Sequence, residues 1–138
     1  MQFGVDIPFV SLLGFDLTVF EGGRSEIEYE VRPEHENSFG VAHGGACMTL
    51  LDVTMATAAR SVHQEMGVVT IEMKTTFMQP SRGRLTGKGR LMHRTATMAF
   101  VEATIYDAHG RSCAHATGTF KYVKRAAPSA PANTISTD

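Results

Sequence analysis

Residues 37–59 read NSFGVAHGGACMTLLDVTMATAA, and the spacing of the apolar residues here decides the fold. From Gly44 to about His63, the set Met48, Leu51, Met55, Ala58 and Val62 recurs at intervals of three and four, as one face of a helix requires. Leu50, Val53, Ala56 and Ala59 extend the apolar surface nearly all round, so this helix is expected to be wrapped by other elements, with Gly67 as its C-cap. Two features do not suit a plain core helix. His43-Gly44-Gly45 forms a flexible entry, and one carboxylate, Asp52, sits in the apolar run.

On either side the pattern has period two. In SEIEYEVR, Ile27, Tyr29 and Val31 alternate with Glu26, Glu28, Glu30 and Arg32, which is a strand with one solvated face. GFDLTVFEGGRSEIEYEV reads as two strands joined in a hairpin at Glu21-Gly22-Gly23. After the helix come VVTIEMKTTFM, GRLTGKGRLMHR, ATMAFVEATIYD and RSCAHATGTFKYV, with turns at Gln79-Pro80-Ser81, around Arg94-Thr95, and at Asp107-Ala108-His109-Gly110. Gly118, inside the last run, suggests a bulge. The order β-β-α-β-β-β-β describes an α+β domain, a curved antiparallel sheet around one long central helix.

The chain has 138 residues, 43% of them hydrophobic, which suits one domain, taken as residues 1–125. Residues 126–138, AAPSAPANTISTD, show no hydrophobic periodicity and read as a disordered C-terminal tail. A formal net charge of −1 gives no reason to expect a nucleic acid or a membrane surface as partner. The N-terminal stretch has no basic region before its apolar residues, and its first cation is Arg24, so no signal peptide is read there. No uncharged run approaches the ~18 apolar residues of a membrane span, and a cytoplasmic location is the expectation. Cys47 and Cys113 lack ligand-like spacing and read as buried free thiols. The six histidines are scattered, with no HExxH, so no metal site is expected. Neither EGGR nor RGRLTGKGR has the strand–loop–helix context of a phosphate-binding loop.

HGG opens the helix with an acid nine residues after the histidine; Asn37 lies six before it, and TFMQPSRG follows the helix. With this element order, the chain resembles the hotdog fold and, more narrowly, the phenylacetic-acid-pathway (PaaI-like) type of acyl-CoA thioesterase. The similarity spans roughly residues 10–124. HGG alone would be a weak signal; the joint Asn…His-Gly-Gly…Asp spacing is specific. The resemblance implies hydrolysis of an aryl- or fatty-acyl-CoA, with coenzyme A as part of the substrate and no cofactor.

The first N–H groups of a helix lack partners within it and carry the positive end of its dipole. A thioester carbonyl aimed at such a donor would be polarised, and one donor is worth ~3 kcal/mol of barrier. Gly44-Gly45 either serves this end or merely makes a tight turn; the resemblance favours the first, with Gly44 as donor and Gly45 beside the substrate. Asp52 is either a helix residue facing solvent or bonded to a neighbour such as Thr49, or a carboxyl whose burial raises its pKa and suits it to general-base or nucleophilic work. Its neighbours Leu50, Leu51 and Val53 offer no polar stripe, which favours the second. Gly44 and Asp52 stand eight residues apart, roughly 12 Å along the helix, too far to serve one thioester within one chain. By resemblance, hotdog thioesterases take the helix start from one protomer and the acid from the other. A homo-oligomer, at least a dimer and in the fuller expectation a dimer of dimers, follows.

Other candidates stand further out. Asn37 is a turn residue or a holder of the acyl carbonyl; His43 orients the loop, donates to the substrate or caps the helix. No Ser or Cys is paired with His43 as in a nucleophilic triad. Thr70 falls where related enzymes place a hydroxyl near the hydrolytic water, though it also suits a strand for its β-branching alone. Arg82, Arg84, Lys88, Arg90 and Arg94 lie in a run without an acid, which would suit the phosphates of coenzyme A or be a solvated strand face. Met48, Met55, Met66, Met73, Met78, Met92 and Met98 are core residues, some of them candidates for an adaptable acyl pocket. Two alternatives remain beside hydrolysis: a non-catalytic acyl-CoA-binding sensor, and a 3-hydroxyacyl-thioester dehydratase. The double glycine argues against the dehydratase, and Asp52 with Asn37 argues against the sensor.

Overall fold

The computed structural model describes residues 3–125. Six strands form one antiparallel sheet: β1 (Asp16–Glu21), β2 (Arg24–Glu30), β3 (Met66–Phe77), β4 (Arg84–Arg94), β5 (Met98–Tyr106) and β6 (Ser112–Lys124). Their spatial order is β1-β2-β4-β5-β6-β3, so β1 and β3 are free edges and the sheet is not closed. The chain enters through α1 (Pro8–Leu13), and a long helix, α2 (Gly44–Arg60), lies across the sheet. A two-residue loop at Gly22 and Gly23, with φ of 58° and 85°, joins β1 to β2 as the hairpin reading expects.

The period-two pattern explains the core. Leu17, Ile27, Tyr29, Leu85, Val101, Ile105 and Phe120 are all buried, as are Cys47, Leu50, Leu51, Met55 and Ala58 of α2. Each large side chain withdrawn from water in this way contributes ~1.5–3 kcal/mol. The helix approaches β4 where that strand has no side chains. A Cβ built on Gly87 would stand 2.6 Å from the Thr54 hydroxyl, and one on Gly89 would stand 2.8 Å from the Thr54 carbonyl oxygen. Ser25 Oγ donates to that same carbonyl at 2.6 Å.

Several expectations need correction. The helix ends at Arg60, not near His63, and Ser61 caps it in ordinary helical geometry. Ser61 Oγ donates to Ala58 O at 2.7 Å and accepts the Gly23 N–H at 2.8 Å, which ties the helix end to the hairpin. Gly67 is therefore no C-cap: it pairs with Val123 inside β3. The helix is not wrapped all round either. Met48 is 39% exposed, and Asp52, Val53 and Ala56 are half-buried, because the sheet covers only one side. Gly118 forms no bulge; it pairs regularly with Met73 and Val101. Its missing side chain makes room instead, since a Cβ there would stand 3.1 Å from Met55 Cε. The bulge is on the facing strand, where the register slips between Thr70 and Glu72. The short α1, with Pro8 at its start and Gly14 at φ 78° as its cap, has too few residues to show a period. The proposed tail, 126–138, lies outside the described residues.

Candidate active site

The loop entering α2 is held on several sides. His43 N–H donates to His35 O at 2.9 Å, Ala42 N–H to Ser81 O at 2.9 Å, and Asn37 N–H to Val41 O at 2.8 Å. Tyr29 and Arg32 hold the His35 ring in turn, with Tyr29 Oη 2.7 Å from Nδ1 and Arg32 Nη2 3.2 Å from Nε2. Asn37 Oδ1 accepts from the N–H groups of Phe39 (2.9 Å) and Val41 (3.3 Å). That is the turn role, and it leaves the Asn37 amide nitrogen without a partner among the described residues.

At the helix start the two glycines differ. Gly45 N–H donates to His43 Nδ1 at 2.8 Å, so its hydrogen bond is spent on the cap. Gly44 N–H has no hydrogen-bond partner among the described residues. A His43 ring accepting at Nδ1 carries its proton on Nε2, where it can donate outward. Gly44, Asn37, Cys47, Phe77 and Arg82 line one groove of about 630 Å³, with the Phe77 ring 3.6 Å from where a Gly44 side chain would begin.

Asp52 and Thr70 belong to a different groove, of about 690 Å³. Asp52 is not bonded to Thr49, whose hydroxyl donates to Gly45 O. Thr70 Oγ1 donates to Asp52 Oδ1 at 2.6 Å, leaving Oδ2 available. Burial pushes the Asp52 carboxyl above the ordinary carboxylate range, and the Thr70 hydrogen bond partly opposes that rise. The structure thus joins Asp52 to Thr70 and Asn37 to Gly44, and places the two pairs in separate grooves.

The basic run is divided. Arg84, Lys88 and Arg90 alternate with the buried Leu85 and the tightly packed Gly87 and Gly89, so they project from the sheet face turned away from the helix. Neighbouring strands supply the acids that the run itself lacks. Arg84 Nε lies 3.4 Å from Glu28, and Arg90 lies 2.8 Å from Glu102. Lys88 Nζ stands 5.5 Å above the Tyr106 ring. Of the five cations in the run, only Arg82 lines the Gly44 groove. Two groups that sequence reasoning passed over also bear on the site. Phe77 flanks Gly44, and Arg60, on the last turn of α2, lines the Asp52 groove. The apolar periodicity hid Arg60, because a cation at a helix C-terminus needs no further explanation.

An open six-stranded antiparallel sheet with one long helix across it is the hotdog fold, and the family match makes the chain a thioester hydrolase. The chain belongs to the thioesterase superfamily, whose sequence profile matches residues 39–114, from just before His43-Gly44-Gly45 into β6. It is 35% identical over 106 residues to a protein of Saccharolobus solfataricus named as an esterase, a match covering 76% of this chain and 75% of that protein. It is 34% identical over 107 residues to the proofreading thioesterase EntH of Klebsiella pneumoniae, covering 75% and 77%. Among solved structures, a conserved protein of Pseudomonas aeruginosa superposes with a TM-score of 0.82 at 27% identity, covering 87% of this chain and 97% of that one. The E. coli PaaI protein of the phenylacetic acid degradation operon, at 20% identity, shares the fold with a TM-score of 0.80 over 86% of each chain.

Proposed function

We propose that this chain hydrolyses an acyl-CoA thioester to the free acid and coenzyme A, at a site shared between two copies. The acyl carbonyl oxygen accepts from Gly44 N–H, with His43 Nε2–H and the Asn37 amide as further donors. Asp52 of the facing copy, held by Thr70, either takes a proton from water as the water oxygen attacks the carbonyl carbon, or attacks that carbon itself. In the first route the C–O bond to water forms, the C–S bond breaks, and the proton passes to the departing thiolate. In the second, a mixed anhydride forms as the thiolate leaves, and water then cleaves it. Arg82, beside the same groove, is placed to meet a phosphate of coenzyme A.

The observation that carries this reading is the contrast at the helix start: Gly45 N–H is engaged by His43, whereas Gly44 N–H, beside an open groove, has no partner among the described residues. A donor held in place and unused costs nothing to reorganise when an oxyanion develops. The test is thiol release over a panel of aryl, short, medium and long acyl-CoAs, with Asp52→Asn as control. Turnover of some panel member, lost in the variant, is the expected result. Binding of acyl-CoA without turnover would mean a sensor instead, and turnover undiminished in Asp52→Asn would remove the acid from the mechanism.

A further inference from the structure

The groove that holds Asp52 contains a second charged group which the hydrolytic step does not use. Arg60 lies eight residues beyond Asp52 on α2, roughly 12 Å along the helix axis, and lines the same groove. It is 7% exposed, yet no carboxylate pairs with it among the described residues. One end of its guanidinium is engaged: Nη1 donates to Phe3 O at 3.2 Å, and the group stands 5.7 Å from the Phe20 ring centroid. Nε is buried without any hydrogen-bond partner. Burial, and then the charge of Arg125 on the same groove, make its protonated state harder to hold. Ile7, Val53, Ala56, Val68 and Val123 give the same groove apolar walls, with Asp6, Thr57, Lys124 and Arg125 as further polar lining residues.

A buried cation with an orphaned N–H and no counter-ion is costly, and an anion that reaches it relieves that cost. The Nε side of a guanidinium is one of the edges that take a carboxylate through two parallel hydrogen bonds. Here Nη1 is the nitrogen already engaged, so the Nε edge is the one whose hydrogen-bonding capacity is unmet. An acyl chain with its thioester at Asp52 would run past the apolar walls, and its far end would meet Arg60. We infer that Arg60 is a specificity-determining residue, and that the acyl group preferred by this enzyme ends in a carboxylate, as in the mono-CoA thioester of a dicarboxylic acid. This rests on Asp52 marking the thioester end of the groove.

The matched pair adipoyl-CoA and hexanoyl-CoA, equal in chain length and different only at the far end, tests it. Wild-type enzyme should favour adipoyl-CoA by at least about tenfold in kcat/KM, since a site built to hydrogen-bond a group discriminates strongly against its absence. Arg60→Met, which keeps the aliphatic stem, should raise KM for adipoyl-CoA about tenfold or more with kcat little changed, leave hexanoyl-CoA unaffected or improved, and be partly rescued by Arg60→Lys. Equal handling of both esters by wild type would overturn the inference. So would an equal loss on both in Arg60→Met accompanied by a fall in melting temperature, the signature of a residue that only pins the N-terminal segment. If neither ester is turned over while another acyl-CoA of the panel is, the hydrolase reading stands; if no acyl-CoA is turned over, that reading fails by itself. Calorimetric binding of the same two esters then still decides Arg60: tighter adipoyl-CoA binding lost in Arg60→Met sustains its role, and equal binding refutes it.

Discussion

Asp52 and Thr70 act on each other's chemistry. Desolvation raises the Asp52 carboxyl, and the Thr70 hydroxyl, donating at 2.6 Å, lowers it. A raised folded-state pKa means that the folded protein holds that proton more firmly than the unfolded chain. Stability is then lost as pH rises from the ordinary carboxylate range through the raised value, and the cost persists above it. Asp52→Asn should therefore melt higher than wild type at neutral pH while losing activity, and the gain should vanish in strong acid; calorimetry across pH checks the sign. Thr70→Val removes the opposing hydrogen bond. The acid limb of its kcat/KM profile should move to higher pH, so that activity falls more at acidic than at alkaline pH. An unmoved limb would mean that Thr70 does not tune the acid. Asp52 could be singled out from its neighbours in sequence, because no polar stripe accounts for it. Its bond to Thr70 could not, because the β3 irregularity after Thr70 appears only in the pairing with β6. The basic run misled for a similar reason: its acids, Glu28 and Glu102, are remote in sequence and meet it only across β2 and β5.

Among the elements, α2 is where sequence and structure agree most closely at one end and least at the other. Its start is written in His43-Gly44-Gly45, and the structure begins the helix at Gly44. Its end is not written at Gly67, because the stop comes from Ser61 bonding to a hairpin 38 positions away. The start offers a clean substitution. Proline is well tolerated at the first position of a helix, and the preceding His43, at φ −60° and ψ 142°, already has the extended conformation that proline imposes on its neighbour. Gly44→Pro should fold normally while lacking the N–H in question, and should lose ~10²–10³ in kcat. Gly44→Ala, which keeps the N–H, should retain most activity; equal rates in the two variants would discard the donor. The helix's seat on β4 gives a stability counterpart. In Gly89→Ala the new Cβ would meet the Thr54 carbonyl oxygen at 2.8 Å, a backbone atom that cannot swing aside. The helix must shift, at ~1–3 kcal/mol, read as a lowered melting temperature.

At the scale of the whole molecule, the single chain leaves two things unfinished. Its edge strand β3 is 12 residues long and carries exposed apolar side chains: Val69 is 45% exposed, Ile71 54% and Phe77 53%. Long, apolar free edges are what a second copy of a chain most readily covers. The two half-sites also open into different grooves, with no lining residue in common. Both are resolved together if two copies pair so that the helix start of one faces Asp52 of the other. That arrangement makes a quantitative prediction. Asp52→Asn and Gly44→Pro chains should each be inactive alone. Unfolded together in equal amounts and refolded, they should form mixed dimers in half of the cases. Each mixed dimer would have one site with both functional groups intact and one with neither, so activity should return to about a quarter of the wild-type value. A site contained within one chain would regain nothing under the same treatment, since each chain lacks one of the two groups. Ile71→Lys, which puts a charge on the exposed edge, should shift the protein toward monomer by light scattering and reduce thiol release in proportion to the dimer lost.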